Sequence, residues 1–310
     1  MENIIVTPRS LSQGDNPLLN KIKQLGYNII FPSPGKQPTE EELSSVIEDA
    51  VGYIAGVEPI TASLLSKAKK LKVISRNGTG IDNIDLEAAQ NNGILIKKAD
   101  GANARGVAEL AFGLILAAAR NIVSSDRNLK SEKWIREKGF ELENKTLGII
   151  GFGKIGQLVA HFALGFGMNV LGYDIFPKQN FRPSEKFRFE PLHAVLEKSD
   201  IISLHCPPLP NRKPLIGAAE ISRMKQGAII INTARQNLVD EKAILEALNS
   251  GALRCYAIDA FDREPPDDLS LVQNGRVIVT PHIGGFTEES IQRASEVAID
   301  NLLDALLKGK

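Results

Sequence analysis

Short runs of apolar, mostly β-branched residues alternate with longer segments of helical periodicity from the N-terminus onward. The strands predicted in the first hundred residues are 4–6, 28–31, 51–56 and 72–75, and the helices are 17–25 and 62–68. Short strands separated by helices are typical of βαβ units, whose strands run parallel. The N-terminal third is therefore predicted to form a parallel α/β sheet.

A second alternating series follows a long apolar helix. Segment 100–120 has small and apolar residues on almost every face, as a helix buried in a core or in a subunit contact does. A polar stretch with Trp134 comes next. The later strands are predicted at 147–150, 169–173, 200–204, 228–231, 255–258 and 277–279, with helices at 154–166 and 287–307. This pattern predicts a second parallel sheet.

Composition narrows the class of protein. A chain of 310 residues exceeds what one hydrophobic core usually serves, so two domains are expected. Lysine plus arginine and aspartate plus glutamate are 37 each, and this neutral balance disfavours a nucleic-acid-binding or membrane-binding surface. Cys206 and Cys255 have neither metal-site nor disulfide spacing. With no signal-peptide pattern, and with an apolar stretch at 110–119 too short to span a bilayer, we expect a cytoplasmic protein without a metal.

The segment GFGKIG at 151–156 has the glycine spacing of a dinucleotide-binding turn, between a predicted strand and a predicted helix. Gly151 would permit the tight turn, Gly153 would let the backbone approach a pyrophosphate, and Gly156 would let the helix pack close to the strand. The helix N-terminus then offers free N–H groups to the phosphates. The predicted cofactor-binding residues here are Gly151, Phe152, Gly153, Lys154, Ile155 and Gly156.

Asp174 ends the second strand of this series. A carboxylate at that point accepts hydrogen bonds from both ribose hydroxyls and repels a 2′-phosphate, which favours NAD over NADP. The chain before residue 146 has its own α/β pattern, so we expect a nucleotide domain inserted into a second domain.

Three charged or titratable residues follow later strands, where open α/β sheets bind ligands: Arg235, Glu264 and His282. Oxidation of a secondary alcohol releases a hydride, which NAD accepts, and a proton, which a histidine accepts well. Glu264 beside His282 would orient the ring, and the planar fork of Arg235 would bind a carboxylate.

The segments that carry these residues, together with 77–85 (NGTGIDNID), 103–110 (NARGVAEL) and the GFGKIG loop, resemble the D-isomer-specific 2-hydroxyacid dehydrogenases over nearly the whole chain. Within that family the likeness is greatest to phosphoglycerate dehydrogenases without regulatory domains. The resemblance implies two Rossmann-like parallel-sheet domains with a cleft between them. One is a flavodoxin-like substrate-binding domain, 1–99 plus 286–310, and the other is an NAD-binding domain, 100–285. It also implies a homodimer.

The resemblance further implies roles for individual residues. Arg235, Glu264 and His282 would be the catalytic triad, and the N–H groups of Gly78 and Thr79 would hold a substrate carboxylate oxygen. The full substrate loop would be Asn77, Gly78, Thr79 and Gly80. The additional cofactor contacts would be His205, Cys206, Pro207, Thr233, Ala234, Asp259 and Gly284. His161 and His193 are expected to be structural or surface residues.

The chain departs from the family pattern at three positions. Gln236 stands where glycine is common, Gly106 where serine is common, and Ala260 where valine is frequent. None of these changes removes a predicted catalytic group, but they leave the substrate open.

Cations would be needed to bind a phosphorylated substrate. Arg9, Arg76 and Arg105 are the candidates, and the alternative is that they are ordinary surface arginines. With them, the resemblance implies interconversion of 3-phosphoglycerate and 3-phosphohydroxypyruvate in serine biosynthesis. A hydroxypyruvate or glyoxylate reductase is the alternative among enzymes, and an NAD(H)-sensing corepressor-like protein is the alternative among binding proteins.

Overall fold

The computed structural model describes residues 1–178, 180–209, 211 and 213–308, which form two compact units. Unit 1 comprises Met1–Asn103 together with the C-terminal segment from Thr287, and unit 2 comprises Ala104–Phe286. Each unit contains one parallel sheet with helices packed on it. The predicted class, two parallel-sheet α/β domains, is confirmed.

Unit 1 has a five-stranded sheet in the order β2-β1-β3-β4-β5, with all pairs parallel. Its strands are β1 Asn3–Val6, β2 Asn28–Ile30, β3 Ala50–Ala55, β4 Val73–Arg76 and β5 Leu95–Lys98. Its helices are α1 Arg9–Ser12, α2 Asn20–Gln24, α3 Glu40–Ser44, α4 Ala62–Ser66, α5 Leu86–Asn91 and α13 Glu288–Lys308, with short 3-10 turns at Pro17–Leu19 and Ile47–Asp49. The strand order is the flavodoxin-like one, which reverses direction between β1 and β3.

The core of unit 1 lies on both faces of this sheet. All six residues of β3 are buried, as expected for a central parallel strand covered on both faces. Ile5 and Tyr53 belong to one apolar cluster, whereas Ile4 and Ile54 belong to another that includes Leu302 of α13. Alternate residues of β1 and β3 therefore serve the two faces of the sheet, and the C-terminal helix closes one of them.

Unit 2 has a seven-stranded parallel sheet in the order β12-β11-β10-β9-β6-β7-β8. Its strands are β6 Thr146–Ile150, β7 Asn169–Tyr173, β8 Phe187–Phe189, β9 Ile201–Leu204, β10 Ala228–Asn232, β11 Leu253–Ile258 and β12 Val277–Val279. Its helices are α6 Ala104–Ala119, α7 Ile122–Lys130, α8 Lys154–Gly165, α9 Leu192–Lys198, α10 Ala218–Ile221, α11 Glu241–Ser250 and α12 Ser270–Gln273, with a 3-10 turn at Gln236–Leu238. This is the dinucleotide-binding order, and its reversal lies between β6 and β9.

Two apolar clusters fill unit 2, one on each face of the sheet. Helices α6 and α8 pack on the same face, with Ile115 and Val159 fully buried there. In the part of the chain that the structure describes, no single helix is long and apolar enough to cross a membrane, although the bent pair α6 and α7 meets that criterion by length and composition.

Candidate active site

The glycine turn between β6 and α8 has the geometry that its three glycines predict. Gly151 has a φ of +92°, and a Cβ on it would lie 2.5 Å from the backbone nitrogen of Cys206. A Cβ on Gly156 would overlap the carbonyl oxygen of Gly151, so helix and turn touch there. Gly153 caps α8 and has no atom within 4 Å of where its Cβ would lie. Because that direction is open in front of the helix N-terminus, the turn fits a pyrophosphate.

Asp174 follows β7 and is tied to the glycine turn. Its Oδ2 accepts the N–H of Phe152 at 2.6 Å, and its Oδ1 accepts the N–H of Phe176 at 2.9 Å. Each carboxylate oxygen keeps a further lone pair, which suits a ribose hydroxyl. The side chains of Ile175 and Phe176 are exposed beside it and present an apolar surface.

Two buried polar groups near the strand reversal have no protein partner. The hydroxyl of Thr233, after β10, makes no hydrogen bond, and neither does Nδ1 of His205, after β9. Nε2 of His205 is hydrogen-bonded to the Ser203 hydroxyl at 2.8 Å. Since buried polar groups normally have partners, both atoms fit a role as contacts to a bound cofactor. Burial lowers the pKa of His205 to about 3, so the ring is neutral at neutral pH.

Cys206 contributes backbone rather than reactive chemistry. Burial raises the pKa of its thiol to about 11, so the sulfur stays protonated. Its backbone nitrogen lies against the glycine turn, where a side chain on Gly151 would collide with it. Pro207, the next predicted contact, is exposed after it.

Glu264 and His282 form a hydrogen-bonded pair. Nδ1 of His282 donates to Oε1 of Glu264 at 2.7 Å, and this oxygen also accepts the N–H of Phe261 at 3.1 Å. About half of the His282 side chain is exposed. With Nδ1 held by the carboxylate, Nε2 is left to exchange a proton with a substrate.

His282 lies in a turn that is fixed by hydrogen bonds to the carboxylate of Asp259. Oδ1 of Asp259 accepts the Thr280 hydroxyl at 2.6 Å and the N–H of Ile283 at 2.8 Å, and Oδ2 accepts the N–H of Gly284 at 2.8 Å. Asp259 is 1% exposed, and His282 has a φ of +53°. The resemblance implies that Asp259 contacts the cofactor, which stays a prediction. What the structure adds is that this carboxylate fixes the backbone on both sides of the histidine.

Arg235 follows β10, half-buried, and its Nη1 donates to the carbonyl of Ala234 at 2.8 Å. The buried Asn232 shapes this segment, because its amide donates to the carbonyl of Arg235 at 2.8 Å and its Oδ1 accepts the N–H of Ala234 at 3.1 Å. The guanidinium is thereby presented at the carboxyl end of the strand.

Gln236, which stands where glycine is common in the family, makes two hydrogen bonds that the sequence does not reveal. Its Oε1 accepts the N–H of Asp262 at 2.6 Å, and its Nε2 donates to Glu241 at the start of α11. It therefore links the residue after Arg235 to the loop that carries Glu264. No pattern in one sequence reveals this bond, because the partners are 26 positions apart.

The structure brings the predicted groups of unit 2 to one edge of its sheet. The glycine turn, Asp174 and His205 follow β6, β7 and β9, whereas Arg235, Glu264 and His282 follow β10, β11 and β12. Since parallel strands present their carboxyl ends at the same edge, this is where a ligand of such a sheet binds. The described residues include no cluster of three or more His, Cys, Asp or Glu side chains that could hold a metal ion.

The remaining predicted residues lie elsewhere. The substrate loop 77–80 follows β4 in unit 1, and the N–H of Gly78 donates to the carbonyl of Arg76 at 2.9 Å, so the Gly78 N–H is already used within the turn. Arg76 ends β4, and Arg9 is exposed at the start of α1. Arg105 pairs with Glu109 and lies 4.9 Å from the Phe162 ring centre. As expected, His161 and His193 lie in helices α8 and α9.

Comparison with known proteins decides the family. Residues 112–284 match the model described as D-isomer specific 2-hydroxyacid dehydrogenase, NAD binding domain. A hydroxypyruvate reductase from Thermotoga maritima is 39% identical over 273 residues, which cover 86% of this chain and 88% of that protein. This chain belongs to the D-isomer specific 2-hydroxyacid dehydrogenase family. The predicted family and the predicted cofactor, NAD, are thereby confirmed.

Two further proteins that are similar to this chain are a phosphoglycerate dehydrogenase and a lactate dehydrogenase. A D-3-phosphoglycerate dehydrogenase from Methanocaldococcus jannaschii is 44% identical over 276 residues, which are 88% of this chain and 52% of that protein. The chain thus spans about half the length of that relative. The crystal structure of a D-lactate dehydrogenase from Aquifex aeolicus, complexed with NAD and lactic acid, matches with a TM-score of 0.83 and 31% identity, covering 99% of this chain and 96% of that one.

Proposed function

We propose that this protein interconverts a D-2-hydroxy acid and the matching 2-oxo acid with NAD. The observation that carries the proposal is the 2.7 Å Glu264–His282 pair, at the same sheet edge as Arg235 and the glycine turn. Unit 2 is assigned to NAD, and the loop 77–80 of unit 1 to substrate.

Each group has a defined part in the reduction. When bound, NADH supplies the hydride for the carbonyl carbon. Arg235 binds the substrate carboxylate with its planar fork and polarises the carbonyl oxygen. Nε2 of His282 gives its proton to that oxygen, while Glu264 holds Nδ1 and stabilises the charged ring before the transfer. Oxidation of the hydroxy acid runs through the same groups in reverse.

Two substrate classes have support. The phosphorylated class, 3-phosphohydroxypyruvate and 3-phosphoglycerate of serine biosynthesis, is supported by the likeness to the M. jannaschii enzyme and by Arg9 and Arg76 at one sheet edge. The unphosphorylated class, hydroxypyruvate or glyoxylate, is supported by the likeness to the T. maritima reductase and by a buried carboxylate, Glu58, at that same edge of unit 1.

The experiment is NADH oxidation by the purified protein with 3-phosphohydroxypyruvate, hydroxypyruvate, glyoxylate and pyruvate. We expect turnover of at least one acid, lowered about a hundredfold or more in the His282→Ala variant. NADH binding without turnover of any 2-oxo acid would contradict the proposal and favour a sensor that only binds the cofactor.

We also propose a cytoplasmic homodimer. The segment 133–142 has no regular secondary structure, Trp134 within it is 82% exposed, and α7 has no buried residue although it carries Ile122 and Leu129. Such exposed apolar groups are typical of an interface. The free thiols of Cys206 and Cys255 suit a reducing compartment. Light scattering should give twice the mass of the chain. The dimer of a Trp134→Ala variant should dissociate at a higher protein concentration than the wild-type dimer does.

A further inference from the structure

The carboxylate of Glu58 lies at the carboxyl edge of the five-stranded sheet and is only 1% exposed. Its Oε1 accepts the N–H of Gly56 at 2.9 Å, the hydroxyl of Tyr53 at 2.7 Å and the hydroxyl of Thr7. Thr7 comes directly after β1 and Gly56 directly after β3. One carboxylate oxygen therefore joins the ends of the two strands between which the strand order reverses.

That reversal is the place where sheets of this order bind ligands. The chain around Glu58 is also bonded to the segment that carries the substrate loop. The amide of Asn83 donates to the carbonyl of Glu58 at 2.7 Å, and the N–H of Asn77 donates to the carbonyl of Ala55 at 2.9 Å. Glu58 and loop 77–80 thus belong to one hydrogen-bonded edge of unit 1.

The donors around Glu58 suit an ionised carboxylate, which accepts hydrogen bonds and donates none. Burial and the charge of Glu58 raise the pKa of Tyr53 well above its ordinary value, so the Tyr53 hydroxyl remains a donor. A Cβ on Gly56 would lie 2.6 Å from Oε2, so glycine at this position leaves room for the second carboxylate oxygen.

Of the two arginines at this edge, Arg76 is offset by Glu58 and Arg9 is screened by solvent. Arg76 lies near enough to Tyr53 for its charge to oppose the rise in the Tyr53 pKa, and it donates to the carbonyl of Asn77. The positive charge of Arg76 is therefore offset by the negative charge of Glu58, because both lie close to the Tyr53 hydroxyl. Arg9 is exposed, where water and salt screen it.

We propose that Glu58 sets the substrate class, by disfavouring a 2-oxo acid with a phosphorylated tail and admitting one with an uncharged tail such as hydroxypyruvate. A phosphate group carries a charge of about −1.5 to −2 at neutral pH. A buried carboxylate repels it through a medium that screens far less than bulk water. The inference deepens the proposed function and rests on it.

The test compares two acids that differ only in the phosphate. kcat/KM is measured with NADH for hydroxypyruvate and for 3-phosphohydroxypyruvate, in the wild-type protein and in Glu58→Gln. Glutamine keeps the shape and an oxygen acceptor for the same donors but removes the charge. The control is Glu48→Gln, which removes an exposed carboxylate of the same unit that pairs with Lys69.

The wild type is expected to prefer hydroxypyruvate, and Glu58→Gln to shift the ratio toward the phosphorylated acid by about tenfold or more. Glu48→Gln is expected to leave the ratio unchanged. If Glu58 had only a structural role, Glu58→Gln would lower kcat/KM for both acids by the same factor and leave their ratio constant. That result would overturn the inference.

A wild-type preference for 3-phosphohydroxypyruvate also overturns it, while leaving the proposed dehydrogenase function intact. If neither acid nor any other 2-oxo acid is turned over, the proposed function itself fails. If Glu58→Gln does not fold, product inhibition of the wild type decides: D-glycerate should inhibit at lower concentration than 3-phospho-D-glycerate, and the reverse order contradicts the inference.

Discussion

Individual side chains in unit 2 divide into those proposed to contact a substrate and those that hold them in place. His282 and Arg235 lie at the carboxyl edge of the sheet. Glu264 accepts a hydrogen bond from the His282 ring, and Asp259 accepts one from the backbone next to His282. The sequence could identify the titratable groups because each follows a strand. It could not reveal that Asp259 supports the histidine turn, because its hydrogen bonds reach residues 21 to 25 positions away.

His205 gives a pH prediction at this scale. Its buried ring has a pKa of about 3, against an ordinary value of 6.5, so the unfolded chain binds the proton more readily. The stabilising effect of the neutral ring is complete above pH 6.5 and is lost as the pH falls toward 3. Between pH 7 and pH 5 the wild type should lose up to about 2 kcal/mol from this group.

The measurement is the melting temperature of the wild type and of His205→Gln at pH 7 and pH 5. The variant should show the smaller decrease between the two pH values, whatever its stability at pH 7. Equal decreases would mean that the ring titrates at its ordinary value in the folded protein.

Among the secondary-structure elements, the central strands and the edge strands β2 and β12 were predictable, whereas the edge strands β5 and β8 were not. β-branched residues fill β10, which is buried on both faces, and the pattern identified it. The pattern missed β5, whose Leu95 is exposed and which ends in two lysines, and β8, a three-residue strand with an arginine in the middle. It also extended the long helix to residue 100, although the chain turns until α6 begins at Ala104.

The turn before α8 allows a matched set of substitutions. Gly153→Ala should leave the melting temperature unchanged but weaken NADH binding, because its Cβ enters the open space in front of the helix. Gly156→Ala should lower stability by about 1–3 kcal/mol, because its Cβ overlaps the Gly151 carbonyl.

Gly165→Ala, at the other end of the same helix, is the control. Nothing lies within 4 Å of its Cβ position, so alanine should leave NADH affinity unchanged and raise stability slightly. Unchanged NADH affinity in Gly153→Ala would argue against a pyrophosphate at this turn.

The link between β10 and the loop after β11 gives a second prediction for elements. Gln236→Ala removes the hydrogen bond to Asp262, so the distance between Arg235 and Glu264 is no longer fixed by this link. We expect kcat/KM for the 2-oxo acid to fall by about tenfold, with NADH affinity kept. Gln226→Ala, which removes an exposed bond to the Gly251 carbonyl, is the control and should retain full activity. Equal activity of the two variants would show that Gln236 does not position the site.

At the scale of the whole molecule, family membership and site geometry agree on the chemistry. Unit 2 has the glycine turn and the hydrogen-bonded Glu264–His282 pair at one edge of its sheet. Unit 1 supplies a flavodoxin-like sheet whose binding edge carries a buried negative charge. The sequence was sufficient for the family and for placing the candidate residues at the strand ends. The charge balance at the edge of unit 1 depends on neighbours brought together by folding, since Thr7 and Glu58 are 51 positions apart.

The most direct test of hydride transfer to a 2-oxo acid follows a label rather than a rate. The protein is incubated with NADH deuterated at the transferable position and with hydroxypyruvate or 3-phosphohydroxypyruvate, and the product is analysed for deuterium at C2 and for configuration. The expected result is a D-configured product with deuterium at C2, formed more slowly by His282→Ala than by the wild type, by about a hundredfold or more. An L-configured product, or a protein that binds NADH and transfers no deuterium to either acid, would contradict the proposed reaction.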